Sequence, residues 1–212
     1  MSAALSDFYD LVLPELTRCP ESLAMLHIRL ACEDFYKRSK LDRVDLAAFD
    51  TVADTASYAL TLPTGKVVAE VLDVWLDSDY ELTAIGPDDR DSLYPEWRSN
   101  TDQPEYYFML DSLNLTLFAT PDAVYSIDCH AALKPKSDAT TIDSWVFEQY
   151  REQIAAGAMS RLMRMSKKPW SDPVMATDKK MTFEAAIESA KLTAERGRGR
   201  AHKRTRPVFG IK

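Results

Sequence analysis

Cysteine, histidine and glycine are scarce in this chain: three, three and six among 212 residues. Cys19, Cys32 and Cys129 are odd in number and widely spaced, which argues against a disulfide framework and fits a reducing compartment. No CxxC or CxxH spacing occurs, so no zinc site is expected. There is no glycine-rich phosphate loop, no nucleophile elbow, no HExxH pair and no recognisable Cys–His signature. Cys129 and His130 are neighbours, and on a strand they turn to opposite faces. The expectation is therefore a protein without catalysis and without a cofactor. Long apolar runs are missing as well. Nothing nears the roughly 20 apolar residues that span a bilayer, and residues 1–7 lack the basic start and apolar run of a signal peptide. A soluble protein made inside a cell, with no membrane partner, is expected.

The residues that are present describe an ordinary globular chain, 46% hydrophobic and 28% charged, long enough to bury a sizeable core. Its net charge of −7 hides a split. The last twenty residues hold Arg196, Arg198, Arg200, Lys203, Arg204, Arg206 and Lys212 against Glu195 alone, whereas the first 192 carry −13. Such asymmetry marks an acidic body with a basic interaction arm.

Read in order, Ser6-Asp7 can cap a short helix over Phe8, Leu11 and Val12 that Pro14 restricts. A stronger helix is predicted over about residues 22–39, its apolar stripe drawn through Leu23, Leu26, Leu30 and Phe35 and widened by Met25, Ile28 and Cys32. His27 sits in that stripe and reads as a packed imidazole, since no partner motif stands near it. Tyr58, Leu60 and Leu62 alternate, residues 63–65 turn, and residues 67–76 read as the return strand, followed by a short strand at Tyr80, Leu82 and Ala84. The loop over residues 85–91 places Asp88, Asp89 and Asp91 close together; it reads as a solvated surface loop because a cation cage needs further oxygens at fixed offsets.

Residues 93–135 are the organising stretch. Leu93-Tyr94-Pro95-Glu96-Trp97 leads through a polar link to Gln103-Pro104-Glu105-Tyr106. Leu113, Leu115 and Leu117 then alternate with polar residues, Ala119-Thr120-Pro121-Asp122 turns, and Tyr125, Ile127, Cys129, Ala131 and Leu133 alternate again. The simplest reading pairs these two strands antiparallel. Helix returns at Asp143 or Ser144 with an apolar face through Phe147, Tyr150, Ile154, Ala158, Leu162 and Met165. Ala155-Ala156-Gly157-Ala158 lets another helix approach closely. Residues 167–169 stop it, residues 170–173 link, and a last helix runs over about residues 182–195.

The order of these features resembles the head-to-tail adaptor, or head-completion, proteins of tailed bacteriophages, nearest to those of short-tailed phages. A Trp-bearing segment, x-Pro-x-x-Tyr, a leucine-alternating strand closed by Pro-Asp, and a Pro-Trp-Ser-Asp link between two helices carry it. Asp102 stands where the family pattern usually has glycine. The expected fold is α+β: a helix bundle with an N-terminal pair (1–47) and two C-terminal helices (141–195), an inserted antiparallel β region (48–140) and an extended basic tail (196–212).

The resemblance implies a structural virion protein at the head–tail interface, made in the bacterial host cytoplasm. Its copies form a homo-oligomeric ring, twelve in number, under the portal protein ring; the ring extends the DNA channel, takes part in genome ejection and receives a nozzle or tail-tube protein. Phage DNA passes the lumen without sequence-specific binding. The tail cannot fold alone on its own apolar surface. Family likeness assigns Arg196, Arg198, Arg200, Lys203, Arg204, Arg206, Pro207, Val208, Phe209 and Ile211 to portal binding. On charge alone the same arginines can neutralise phosphates and Phe209 can stack on a base, which makes a nucleic-acid-binding or packaging accessory protein the alternative; a solvated tail is the third reading. A hydrolase using Asp88, Asp89 and Asp91 is the remaining reading.

Overall fold

A computed structural model describes residues 2–86, 89 and 101–197. Two hydrophobic cores stand side by side, one helical and one between β-sheets.

The helical core begins with a single turn, α1 (Tyr9–Val12), set between 3-10 segments at Leu5–Phe8 and Leu13–Glu15. Pro14 stands in the second of these, which breaks the α-helical ladder there. Helix α2 (Glu21–Ser39) buries Ala24, Ile28, Ala31, Cys32, Phe35 and Tyr36, and Lys40 ends it in the left-handed conformation. Of the predicted stripe Ile28, Cys32 and Phe35 are buried, whereas Leu26 and Leu30 are exposed. Helix α3 (Ser144–Met163) and helix α4 (Pro173–Arg196) pack on each other and on α2. Helix α4 starts well before the expected residue 182, because Asp172 accepts from the Val174 and Met175 N–H groups at 3.1 and 3.0 Å and Pro173 fits the first helical position.

The small-residue stretch of α3 receives α4 as expected. A Cβ added to Gly157 would stand 2.6 Å from the Phe183 ring, and that ring is buried. Gly157→Ala is therefore expected to lower stability by about 1–3 kcal/mol through overpacking, although alanine is the better helix former. Urea unfolding measures it; a variant more stable than the parent would contradict the close approach.

The strands are β1 (Ser2–Ala4), β2 (Arg43–Asp45), β3 (Phe49–Asp50), β4 (Ser57–Ala59), β5 (Lys66–Leu76), β6 (Tyr80–Glu81), β7 (Thr83–Ala84), β8 (Thr101–Asp102), β9 (Tyr106–Phe108), β10 (Asn114–Phe118), β11 (Thr120–Pro121), β12 (Ser126–Pro135) and β13 (Thr141–Asp143). One sheet runs β2-β12-β5-β6, with β3 also on β12; a second runs β4-β10-β9-β7. Their inner faces meet in one cluster: Val68, Val74, Leu76, Ile127, Cys129, Ala131 and Leu133 from the first, Leu60, Tyr107, Leu115 and Leu117 from or beside the second. This is a sandwich with a core of its own.

The predicted architecture is overturned here. The β region is not a minor insertion in a helix bundle but an extensive set of sheets, and it is not purely antiparallel, since β7–β9 and β8–β11 run parallel. Nor do β10 and β12 pair with each other. β10 lies between β4 and β9, whereas β12 pairs along its length with β5, with two register shifts. The expected hairpin of residues 58–62 with 67–76 fails likewise, because the chain changes sheets at Gly65 (φ 77°). Alternation reports one buried face; it does not report which neighbour supplies the hydrogen bonds. At the N-terminus, β1 pairs with β13, an element the sequence pattern did not show. Asp102, at the position of the family's glycine, closes the short strand β8, and its carboxylate accepts from the Gln103 N–H at 2.8 Å. Residues 93–97 lie outside the described residues.

Candidate functional site

The two cores are joined by a charged cluster that no sequence motif announced. Lys66 opens β5, Asp42 follows α2, and Asp143 closes β13 just before α3. The Lys66 ammonium donates to Asp42 Oδ2 at 2.8 Å and to both oxygens of Asp143 at 2.9 and 2.8 Å. The Tyr36 hydroxyl donates to Asp143 Oδ2 at 3.0 Å. Asp143 was expected as a helix cap, but its side chain makes no capping bond to α3; the lysine and the tyrosine hold it. These side chains keep less than a quarter of their surface, 19% for Lys66 and 9% for Asp42, so the pairs are shielded and geometrically fixed. Farther along the sheet, Lys40 at the end of α2 pairs with Glu70 of β5 at 2.6 Å.

The electrostatics follow from this burial. Burial pulls the Lys66 ammonium down, but its hydrogen bonds and charge contacts with Asp143 and Asp42 outweigh it and leave the pKa above the usual lysine value. Burial and the Asp143 charge raise the Tyr36 phenol. Burial lifts the Asp42 carboxyl, only partly offset by Lys66. For Lys66 and Tyr36 the folded pKa exceeds the unfolded one, so their contribution is complete below about pH 10 and is lost as pH rises through the folded values. Stability should therefore fall above about pH 10, and Tyr36→Phe should make that fall shallower. Urea midpoints measured across the alkaline range test this; identical slopes in parent and variant would remove the cluster from the account.

Around the cluster the charges divide by lobe. Residues 44–133 contain 17 Asp and Glu against Lys66, Arg90 and Arg98. The basic residues of the helical core are used between helices: Arg161 pairs with Asp34 at 2.8 Å, Lys179 with Glu15 at 2.7 Å, and Arg38 with Glu184. Partly exposed pairs of this kind each contribute little, so packing carries that lobe.

Of the residues assigned to portal binding, Arg196 is the last of α4 and is exposed. Arg198, Arg200, Lys203, Arg204, Arg206, Pro207, Val208, Phe209 and Ile211 lie outside the described residues. Asp89 is exposed, and Asp88 and Asp91 lie outside the described residues. Among the described residues no group of His, Cys, Asp or Glu can hold a metal ion. His27 is half-buried, and burial followed by the Arg161 charge lowers its pKa. Cys129 is buried inside the sandwich with its thiol pushed up to about 12 by burial, while His130 on the opposite face stands 3.2 Å from Asp73. No helix among the described residues is long and apolar enough to cross a membrane.

The arrangement offers exposed surfaces and a shielded charged joint. Exposed apolar side chains lie on two separate helices: Val174 (79% exposed) and Met181 (68%) one heptad apart on α4, and Leu26 (47%) and Leu30 (37%) one turn apart on α2. Residues 4–208 match the family model described as SU10 adaptor protein. A comparison with curated proteins finds no match.

Proposed function

The chain belongs to the SU10 adaptor protein family, and from that premise we propose that it joins the filled phage head to the tail as a ring of twelve copies under the portal. The family match over nearly the whole chain carries this reading. As a phage adaptor it is a structural protein whose partners are the portal and tail proteins. The proposed mechanism is mechanical: helices and the basic tail attach upward, the β lobe meets the next tail component, and DNA leaves through the lumen.

Two features support the ring. A closed ring of identical subunits uses head-to-tail contacts, so each copy needs two different complementary patches. The α4 pair Val174 and Met181 and the α2 pair Leu26 and Leu30 are two such patches on one molecule. Met181→Glu is expected to leave monomer stability within about 0.5 kcal/mol, because the site is exposed, yet to reduce ring assembly. Urea unfolding reads the first and sedimentation velocity with portal rings present reads the second. Unimpaired assembly would take α4 out of the subunit contact.

An acidic lobe suits a channel wall, since like charge discourages the DNA backbone from sticking in transit. A ring whose lumen is lined mainly by Lys and Arg would contradict this. The tail, with basic residues followed by Pro207, Val208, Phe209 and Ile211, supplies charge-assisted bonds and an aromatic anchor for the portal. The direct test is co-sedimentation of the full chain with portal rings of its own phage. Binding to DNA at low salt without binding to the portal would instead favour the packaging accessory.

A further inference from the structure

Among the described residues, the sandwich leaves one strand edge open beside an apolar groove. On one side β5 pairs with β12 throughout. On the other, β6 covers Trp75 and Leu76, Leu82 donates to the Val74 carbonyl, and Val68 donates to the Ser112 carbonyl. Between these points, from Ala69 to Asp73, no strand among the described residues pairs with that edge. A groove of about 410 Å³ runs along it, floored by Val68, Val71, Tyr107 and Phe108 and walled by Ile85 and Met109. Leu110, at its mouth, is 76% exposed. Open edges of this kind pair with added strands, the main chain giving affinity and the alternating pockets giving selectivity.

The groove is acidic at its margin. Glu70 and Asp111 line it. Burial raises the Tyr107 phenol, followed by the charges of Cys129, Asp73, Glu81 and Glu70. The chain itself contains the complementary segment. Residues 198–212 hold six Lys and Arg and no acid, and near their end Phe209 and Ile211 stand two apart, the period of one strand face. Geometry brings the tail's origin to this side. Helix α4 passes Arg38, which bonds Glu184 and feels Glu188, and Lys40, two residues from Arg38, holds Glu70 at the groove. From Glu188 to Arg196 is about 12 Å of helix, and the twelve residues from Gly197 to Phe209 span up to about 40 Å when extended.

We propose that the groove beside β5 binds the C-terminal segment of the same molecule in the unassembled protein, Phe209 entering between Val71 and Leu110 and residues 208–211 pairing with the open edge. The contact occupies the residues that the portal reading needs, so the portal competes with it; that consequence, unlike the contact itself, rests on the proposed function.

The test uses the full chain with Phe209→p-benzoylphenylalanine, irradiated alone as the unassembled protein, and peptide mapping of the cross-links. The expected result is intramolecular cross-linking concentrated on residues 68–71, 85 and 109–112. It should fall about tenfold on moving from about 0.1 M to about 1 M salt, which shortens the screening length from about 10 to about 3 Å. Leu110→Arg, at an exposed position that tolerates it, should reduce it similarly without unfolding the protein. Cross-links scattered over the acidic lobe, cross-links that ignore Leu110→Arg, or cross-links only between molecules would each overturn the proposal. Competition by portal rings is read separately, so failure of portal binding leaves the groove result standing.

Discussion

Lys66→Met is expected to destabilise the protein by about 3–5 kcal/mol. The reason is asymmetry. In the parent, one ammonium satisfies two carboxylates and sits 2.8 Å from each. Removing it leaves Asp42 and Asp143 as uncompensated charges with little water access and with their mutual repulsion unmasked. Their loss also loosens the joint at which α2, β5, β13 and α3 converge. Lys66→Arg keeps the charge and should recover part of the loss, although the planar guanidinium meets the two acids with different geometry. Combining Lys66→Met with Asp42→Asn should cost less than the sum of the two, since one stranded charge is gone. Urea unfolding at neutral pH measures all three. A loss below about 1 kcal/mol for Lys66→Met would mean the cluster is solvated and the lobes are held by packing alone.

Ending the chain at Gly197 is expected to abolish portal co-sedimentation, weakening it by at least about a hundredfold, while both hydrophobic cores still fold cooperatively. Among the described residues the buried side chains of both cores all precede that point, Ala190 being the last of them, so core packing is retained. The portal contact loses six positive charges and the Phe209 anchor together. Phe209→Ala alone should cost about 2 kcal/mol, or roughly thirtyfold, as a buried aromatic at an interface commonly does. Retained binding by the shortened chain would move the portal contact to the helices. Lost binding accompanied by loss of cooperative unfolding would mean that the tail is needed for the fold itself.

Helices were the most legible part of the chain. The period of α3 and the small residues around Gly157 both found their counterparts, because helix amphipathicity and close approach are local properties of sequence. Helix α2 has its predicted bounds, and Ile28, Cys32 and Phe35 of its stripe are buried; Leu26 and Leu30 fall outside the core because Ala24, Ala31 and Ser39 fill the tightly packed side. The start of α4 was written at Asp172-Pro173, a cap followed by a first-turn proline, and was passed over as a link. Sheet topology was not legible. Strands β10 and β12 show the same alternation, and nothing local distinguishes a hairpin from two strands in facing sheets. The joint was hidden for a related reason: Asp42, Lys66 and Asp143 are far apart in sequence. One signal existed, because Lys66 is the only Lys or Arg between Val44 and Asp89, and a lone cation in an acidic, half-buried stretch needs a partner.

The central claim is that this protein completes the head and joins it to the tail. Electron microscopy of particles produced when its gene is disrupted tests that claim most directly. The account predicts heads that lack tails, and formation of tailed particles once the purified protein and tail components are added. Normal tailed particles in its absence would contradict it.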